Sequence, residues 1–101
     1  MGRNPLEPIM HHHPALFKQM SEARNASLAP GALDKKTKLL VAMALDATKH
    51  APNGVRVLAK LAMEAGATKE EIMEVLHVVY FIDGIGSMYT AAEGIEGLFE
   101  E

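Results

Sequence analysis

The sequence predicts an all-α domain of about five helices. Three observations predict it. Apolar residues make up 49% of the chain but aromatic residues only 5%, and there is no Trp. The core must then be filled by Leu, Ile, Val, Met and Ala, which suits helices packed on helices. Apolar positions also recur at helical spacing, as at Val55, Leu58, Ala59, Ala62 and Ala65. The breaks between such stretches carry helix caps: Asp34 ahead of one, Gly66 behind another, and Thr68 with Glu71 as a capping box.

At 101 residues the chain has the length of one domain. Residues 1–13, with Gly2, Pro5 and Pro8, are expected as an extended N-terminal segment, and residues 14–101 as a single helical domain. Pro14 suits the first turn of a helix, whose stripe of Leu16, Phe17, Met20 and Ala23 runs to about Asn25. Ala29-Pro30-Gly31 breaks it. The second helix starts at the N-cap Asp34 and ends near His50. It is apolar on every face from Leu39 to Leu45, which marks it as the buried central helix.

The third helix spans Val55 to Ala65 and turns Arg56, Lys60 and Glu64 to solvent. With the second it should form a central antiparallel hairpin. The fourth runs from Lys69 to about Asp83, and its second half is apolar apart from His77 and the Tyr80 hydroxyl. Val78-Val79-Tyr80-Phe81-Ile82 alone favours a strand. The capping box and the Ile72, Val75, Leu76, Val79 spacing override it. The last helix follows a turn at Gly84 and Gly86 and places Ile85, Met88, Tyr89, Ala92, Ile95 and Phe99 on one face. Gly94 and Gly97 weaken it by about 1 kcal/mol each relative to Ala, but let another helix approach closely. Leu40, Met43, Leu58, Leu76 and Val79 are expected deep in the core.

The chain has no Cys, which removes disulfides, thiolate metal ligands and thiol redox chemistry from this sequence. A net charge of −3 gives no electrostatic case for nucleic acid. No apolar run reaches membrane-spanning length, and the N-terminus lacks the apolar core of a signal peptide. The expectation is a cytoplasmic protein without nucleic-acid or membrane partners.

Three stretches carry a family resemblance: Leu33-Asp34-Lys35-Lys36-Thr37-Lys38-Leu39-Leu40, Glu64-Ala65-Gly66-Ala67-Thr68 with Glu70-Glu71-Ile72, and the Gly84/Gly86 turn before an Ala-rich helix. In this order the chain resembles the carboxymuconolactone decarboxylase family, which includes the alkylhydroperoxidase D-like proteins. The resemblance implies the alkylhydroperoxidase D-like helical fold and a homo-oligomer, a trimer or hexamer. It also brings a comparison of sites. The alkylhydroperoxidase D-like branch carries a Cys-x-x-Cys pair at the start of the third helix, with a His after it and a Glu on the preceding helix. Here the two Cys positions fall on Ala51 and Gly54, the His on Leu58 and the Glu on Leu39. Peroxidase activity is therefore not implied. The decarboxylase branch acts on a lactone acid without thiols, but its polar His-containing segment at the same helix start has no close match here, where Asn53, Gly54 and Leu58 stand.

Four residues are candidates for such chemistry. His50 lies beside the family's active-site loop, and His77 is the strongly polar group of an apolar half-helix; both are candidate acid/base residues. Asn53 and the Tyr80 hydroxyl are candidate substrate-binding groups. His11, His12 and His13 are consecutive, so one helix or strand cannot turn all three to one ion, and no metal or cofactor is expected. The expected function is a thiol-independent acid/base enzyme, decarboxylase-like, on a small carboxylated or lactone-like molecule. The alternative is a non-catalytic oligomeric scaffold or ligand-binding protein of the same fold.

Overall fold

A computed structural model of the chain describes residues 4–99. The described residues form six helices and no strand: α1 (Glu7–His12), α2 (Pro14–Leu28), α3 (Lys35–Thr48), α4 (Pro52–Glu64), α5 (Lys69–Asp83) and α6 (Ile85–Ile95). Five of these correspond to the expected helices. The sixth, α1, lies within the segment expected to be extended. Pro8 sits in its first turn, where it costs no hydrogen bond, and Glu7 complements the positive end of the helix dipole. The break comes instead at His13, which precedes Pro14 and has non-helical φ of −149°.

Pro14 opens α2, as its position suggested, and His13 caps it by accepting a hydrogen bond from the Leu16 amide at 3.2 Å. α2 buries none of its residues. The broadest helix pairing is the hairpin of α3 and α4, joined by only three residues, Lys49 to Ala51. Asp34 caps α3 by accepting from the Thr37 amide at 2.8 Å. α4 begins at Pro52, three residues before the expected Val55, because proline is pre-set for the first helical turn. Asn53 and Gly54 therefore lie inside the helix.

Leu39, Met43 and Ala47 of α3 meet Val55, Ala59 and Ala62 of α4, and Ile72, Leu76 and Val79 of α5 complete the core with Ala67 and Ala91. Met43, Leu76 and Val79 are buried as expected; Leu40 and Leu58 are only partly buried, at its edge. α3 is not buried all round either. Val41 and Leu45 are about half exposed, beside a groove that they share with Val75, Val78 and Ile82 of α5.

α5 keeps its helix through the β-branched run. Its capping box is complete: the Glu71 amide donates to Thr68 Oγ1 at 3.0 Å, and the Thr68 amide donates to Glu71 Oε1 at 2.9 Å. Lys36 of α3 bridges to Glu71 at 3.0 Å and ties the two helices together at that end. α6 departs from expectation in its buried face. Ser87, Thr90, Ala91 and Gly94 face inward, while Ile85 and Tyr89 point outward. The reason is distance. A β-carbon on Gly94 would lie 2.6 Å from Val55 Cγ1 and 2.9 Å from the Pro52 carbonyl oxygen, so α4 and α6 meet too closely for a large side chain. Arg56 of α4 donates to the Glu96 carbonyl just beyond α6, pinning the same pair.

Candidate functional site

The α3–α4 turn positions His50. The Lys49 and His50 amides return to the last carbonyls of α3, and the Ala51 amide donates to the Asp46 carbonyl at 3.0 Å. This tight reversal leaves His50 at φ +58°, the positive-φ non-glycine position among the described residues. Such a backbone costs of order 1 kcal/mol for an L residue, so the surroundings must hold it. Thr90 does so in part: its Oγ1 lies 3.1 Å from His50 Nδ1 across the turn. Gly86, one helical turn before Thr90, leaves room for the ring, whose Cε1 is 3.4 Å from where a β-carbon would stand. With Nδ1 engaged, Nε2 is the nitrogen left to exchange protons.

Asn53 is exposed in the first turn of α4, close to His50 in sequence. Behind it, the Asp46 carboxylate lies over Gly54. A β-carbon at Gly54 would come 2.0 Å from Asp46 Oδ2. The space into which a thiol at this position would project is thus occupied by a carboxylate. Leu39 is buried in the core and Leu58 packs at its edge, so the other two positions of that constellation are apolar as well.

His77 lies elsewhere. It is exposed rather than buried, because α5 turns Ile72, Leu76 and Val79 into the core and leaves His77 outside it. It borders a groove of about 540 Å³ with Tyr80, Met73, Leu76, Glu74 and, from α6, Met88. Of the four candidate residues the structure brings His77 and Tyr80 together; His50 and Asn53 remain at the α3–α4 turn. The groove includes Glu74, yet no hydrogen bond links it to His77.

The histidines near the N-terminus diverge. His13 Nδ1 is turned to the Leu16 amide, and the His11 and His12 rings are tilted 49° to each other with centroids 6.3 Å apart. Among the described residues no group of three His, Asp or Glu side chains is placed to hold a metal ion. The shifted carboxylates belong to the helix caps. Thr37 holds Asp34 below its ordinary value through hydrogen bonds; the Thr68 amide, then Lys36, do the same for Glu71. Thr90, Asp46 and Met88 were not candidates from sequence. Each reaches its neighbour across a helix contact that leaves no periodic signal.

The carboxymuconolactone decarboxylase family model matches residues 14–96, most of the chain. The chain belongs to the carboxymuconolactone decarboxylase family. It is similar to the uncharacterized protein MJ1511 of Methanocaldococcus jannaschii, with 31% identity over 90 residues, 89% of this chain and 84% of that one. Its fold is similar to the crystal structure of apo-lpg0406, a carboxymuconolactone decarboxylase family protein from Legionella pneumophila. That likeness has a TM-score of 0.86 and 35% identity, and covers 94% of this chain and 85% of that chain. As a family member this chain carries neither thiol of the Cys-x-x-Cys pair, since it has no Cys at all.

Proposed function

We propose that this carboxymuconolactone decarboxylase family member is a thiol-independent acid/base enzyme acting on a small carboxylated or lactone-like substrate in the groove between α5 and α6. His77 transfers the proton, and the Tyr80 hydroxyl positions the substrate. The observation that carries this reading is the groove itself. Its about 540 Å³ falls in the size range of small-molecule sites, and its Met73, Leu76 and Met88 walls carry Glu74, His77 and Tyr80 at an open rim. The apolar walls suit a compact carbon skeleton, and the imidazole is open to solvent for proton exchange.

Loss of carbon dioxide from a carboxylate leaves an electron pair that the substrate's own lactone carbonyl must delocalise before the carbon takes up one proton. An imidazolium at His77 supplies that proton and regains one from water. His50, engaged by Thr90, has the smaller claim, as an anchor of the turn with one nitrogen to spare.

Turnover of a panel of small lactone carboxylates, followed by NMR, tests the reading in wild type, His77→Gln and Tyr80→Phe. General acid–base catalysis contributes about 10²–10⁴-fold, and His77→Gln should lose a factor in that range. Tyr80→Phe should chiefly raise KM. Equal turnover in wild type and His77→Gln would remove His77 from the chemistry. A second reading, a ligand-binding scaffold without chemistry, draws on the apolar outer side of α5. Binding without turnover, undiminished in His77→Gln, selects it.

A further inference from the structure

α2 meets α3 and α4 at a cleft rather than a packed seam. About 390 Å³ lies between Arg24, Asn25 and Leu28 of α2, the Ala29–Pro30 link, and Lys35, Leu39 and Leu61 of α3 and α4. Small-molecule sites span about 300–1,000 Å³, so the cleft has the size of one. Its floor is apolar: Leu39 is 1% exposed, and Leu28 and Leu61 are partly buried beside it. Its rim is cationic. Arg24 and Lys35 are both exposed, and neither has an ion-pair or hydrogen-bond partner among the described residues.

The lysines of α3 differ in what they hold. Lys36 is tied to Glu71, and Lys38 donates to the Ala29 carbonyl, which takes up that acceptor at the cleft wall. Asp34, next to Lys35 in sequence, accepts from the Thr37 amide at 2.8 Å. Lys35 is left to share the cleft with Arg24. No Asp, Glu or His lines it, so it offers positive charge to a ligand and no group for acid/base chemistry at neutral pH. In a chain of net charge −3 this is a locally positive site. A guanidinium fork meets a planar carboxylate through two parallel hydrogen bonds, and an ammonium adds a compact charge beside it. We propose that the cleft between α2 and α3 binds a small organic carboxylate with an apolar body, gripped by Arg24 and Lys35 and seated on Leu28, Leu39 and Leu61. A bare anion would leave the leucine floor wet, and an uncharged hydrocarbon would leave both cations unpaired. The site is separate from the groove that holds His77, since the two share no residue.

Phenylacetate is the probe, with acetate and benzyl alcohol as its charged and uncharged parts. In amide NMR titrations of the full chain, millimolar phenylacetate should shift Asn25, Lys35 and Leu61 saturably. It should also give nuclear Overhauser contacts to the Leu28, Leu39 and Leu61 methyls. Acetate and benzyl alcohol should each bind more weakly by about tenfold or more. Arg24→Gln and Lys35→Gln, at exposed positions, should keep the helical circular dichroism and weaken phenylacetate by about tenfold each, the loss of one charge-assisted contact. Lys60→Gln, which removes the same charge from the solvent side of α4, should bind as wild type. His77→Gln should do so too, so failure of the catalytic reading leaves this site standing. The site is overturned by absence of saturable shifts at these residues, or by shifts centred on His77 and Tyr80. Equal binding of benzyl alcohol, unchanged affinity in either Arg24→Gln or Lys35→Gln, or an equal loss in Lys60→Gln overturns it as well.

Discussion

Gly54 and Gly94 both stand where another helix comes close, and they differ in what a side chain would strike. At Gly54 a β-carbon meets the end of the Asp46 side chain, which can rotate away. At Gly94 it meets the β-branched Val55, 2.6 Å off, and the Pro52 backbone oxygen, neither of which can turn aside. Helix propensity favours Ala over Gly by about 1 kcal/mol at either position. Overpacking costs about 1–3 kcal/mol where neighbours cannot yield. Gly54→Ala should thus be near neutral, and Gly94→Ala should lower Tm by several degrees, since about 1 kcal/mol corresponds to roughly 4–8 °C in a domain this small. Thermal melts settle it; a Gly94→Ala variant as stable as wild type would mean that α6 does not press on α4. At this scale His77 and Tyr80 were candidates separately, His77 alongside His50; that His77 and Tyr80 line one groove follows from their spacing of three on one helix. The Thr90 partner of His50 and the carboxylate over Gly54 were not legible, since each joins segments that only tertiary packing brings together.

Helix ends were the most readable elements. Asp34 and the Thr68–Glu71 box do in the fold what their order in the chain suggested, because a cap is a local contact within one turn. The caps also carry a pH dependence. Both carboxylates titrate below their ordinary values of 3.8 and 4.5 in the folded chain, so the unfolded chain binds their protons more readily. Their contribution to stability is full above the ordinary values and is lost as pH falls through the lower, folded ones. Tm should decline below about pH 4.5. Glu71→Gln keeps a capping-box side chain but removes the titration, and should flatten this decline. An acid limb identical to wild type would assign the dependence to other carboxylates. The face of α6 was legible in part: Met88 and Ile95, with Phe99 beyond its end, pack against the core as their spacing suggested, but Ile85 and Tyr89 point outward, and the close crossing with α4 is taken by Ser87, Thr90, Ala91 and Gly94.

At the scale of the whole molecule, the all-helical fold and its central hairpin were legible from spacing, caps and family resemblance. The exposed apolar side of α5 was not, because a stretch that is apolar all round reads as buried whatever finally covers it. Nothing in the chain can form the sulfenic or disulfide intermediates of thiol chemistry. Among the described residues no helix is long and apolar enough to cross a membrane. α2 buries none of its residues, and its hold on the rest comes from Leu28 at the core's edge and a Lys38 ammonium donating to the Ala29 carbonyl at 2.7 Å. The arm of α1 and α2 can therefore open while baring only the edge of the core at Leu39 and Leu61, which face it. Its amides should exchange with deuterium orders of magnitude sooner than those around Met43 and Ala59, which wait for global unfolding. Brief proteolysis should cut between Ala29 and Asp34 and leave a folded body. Uniform exchange across all six helices would instead make the arm and the body one cooperative unit.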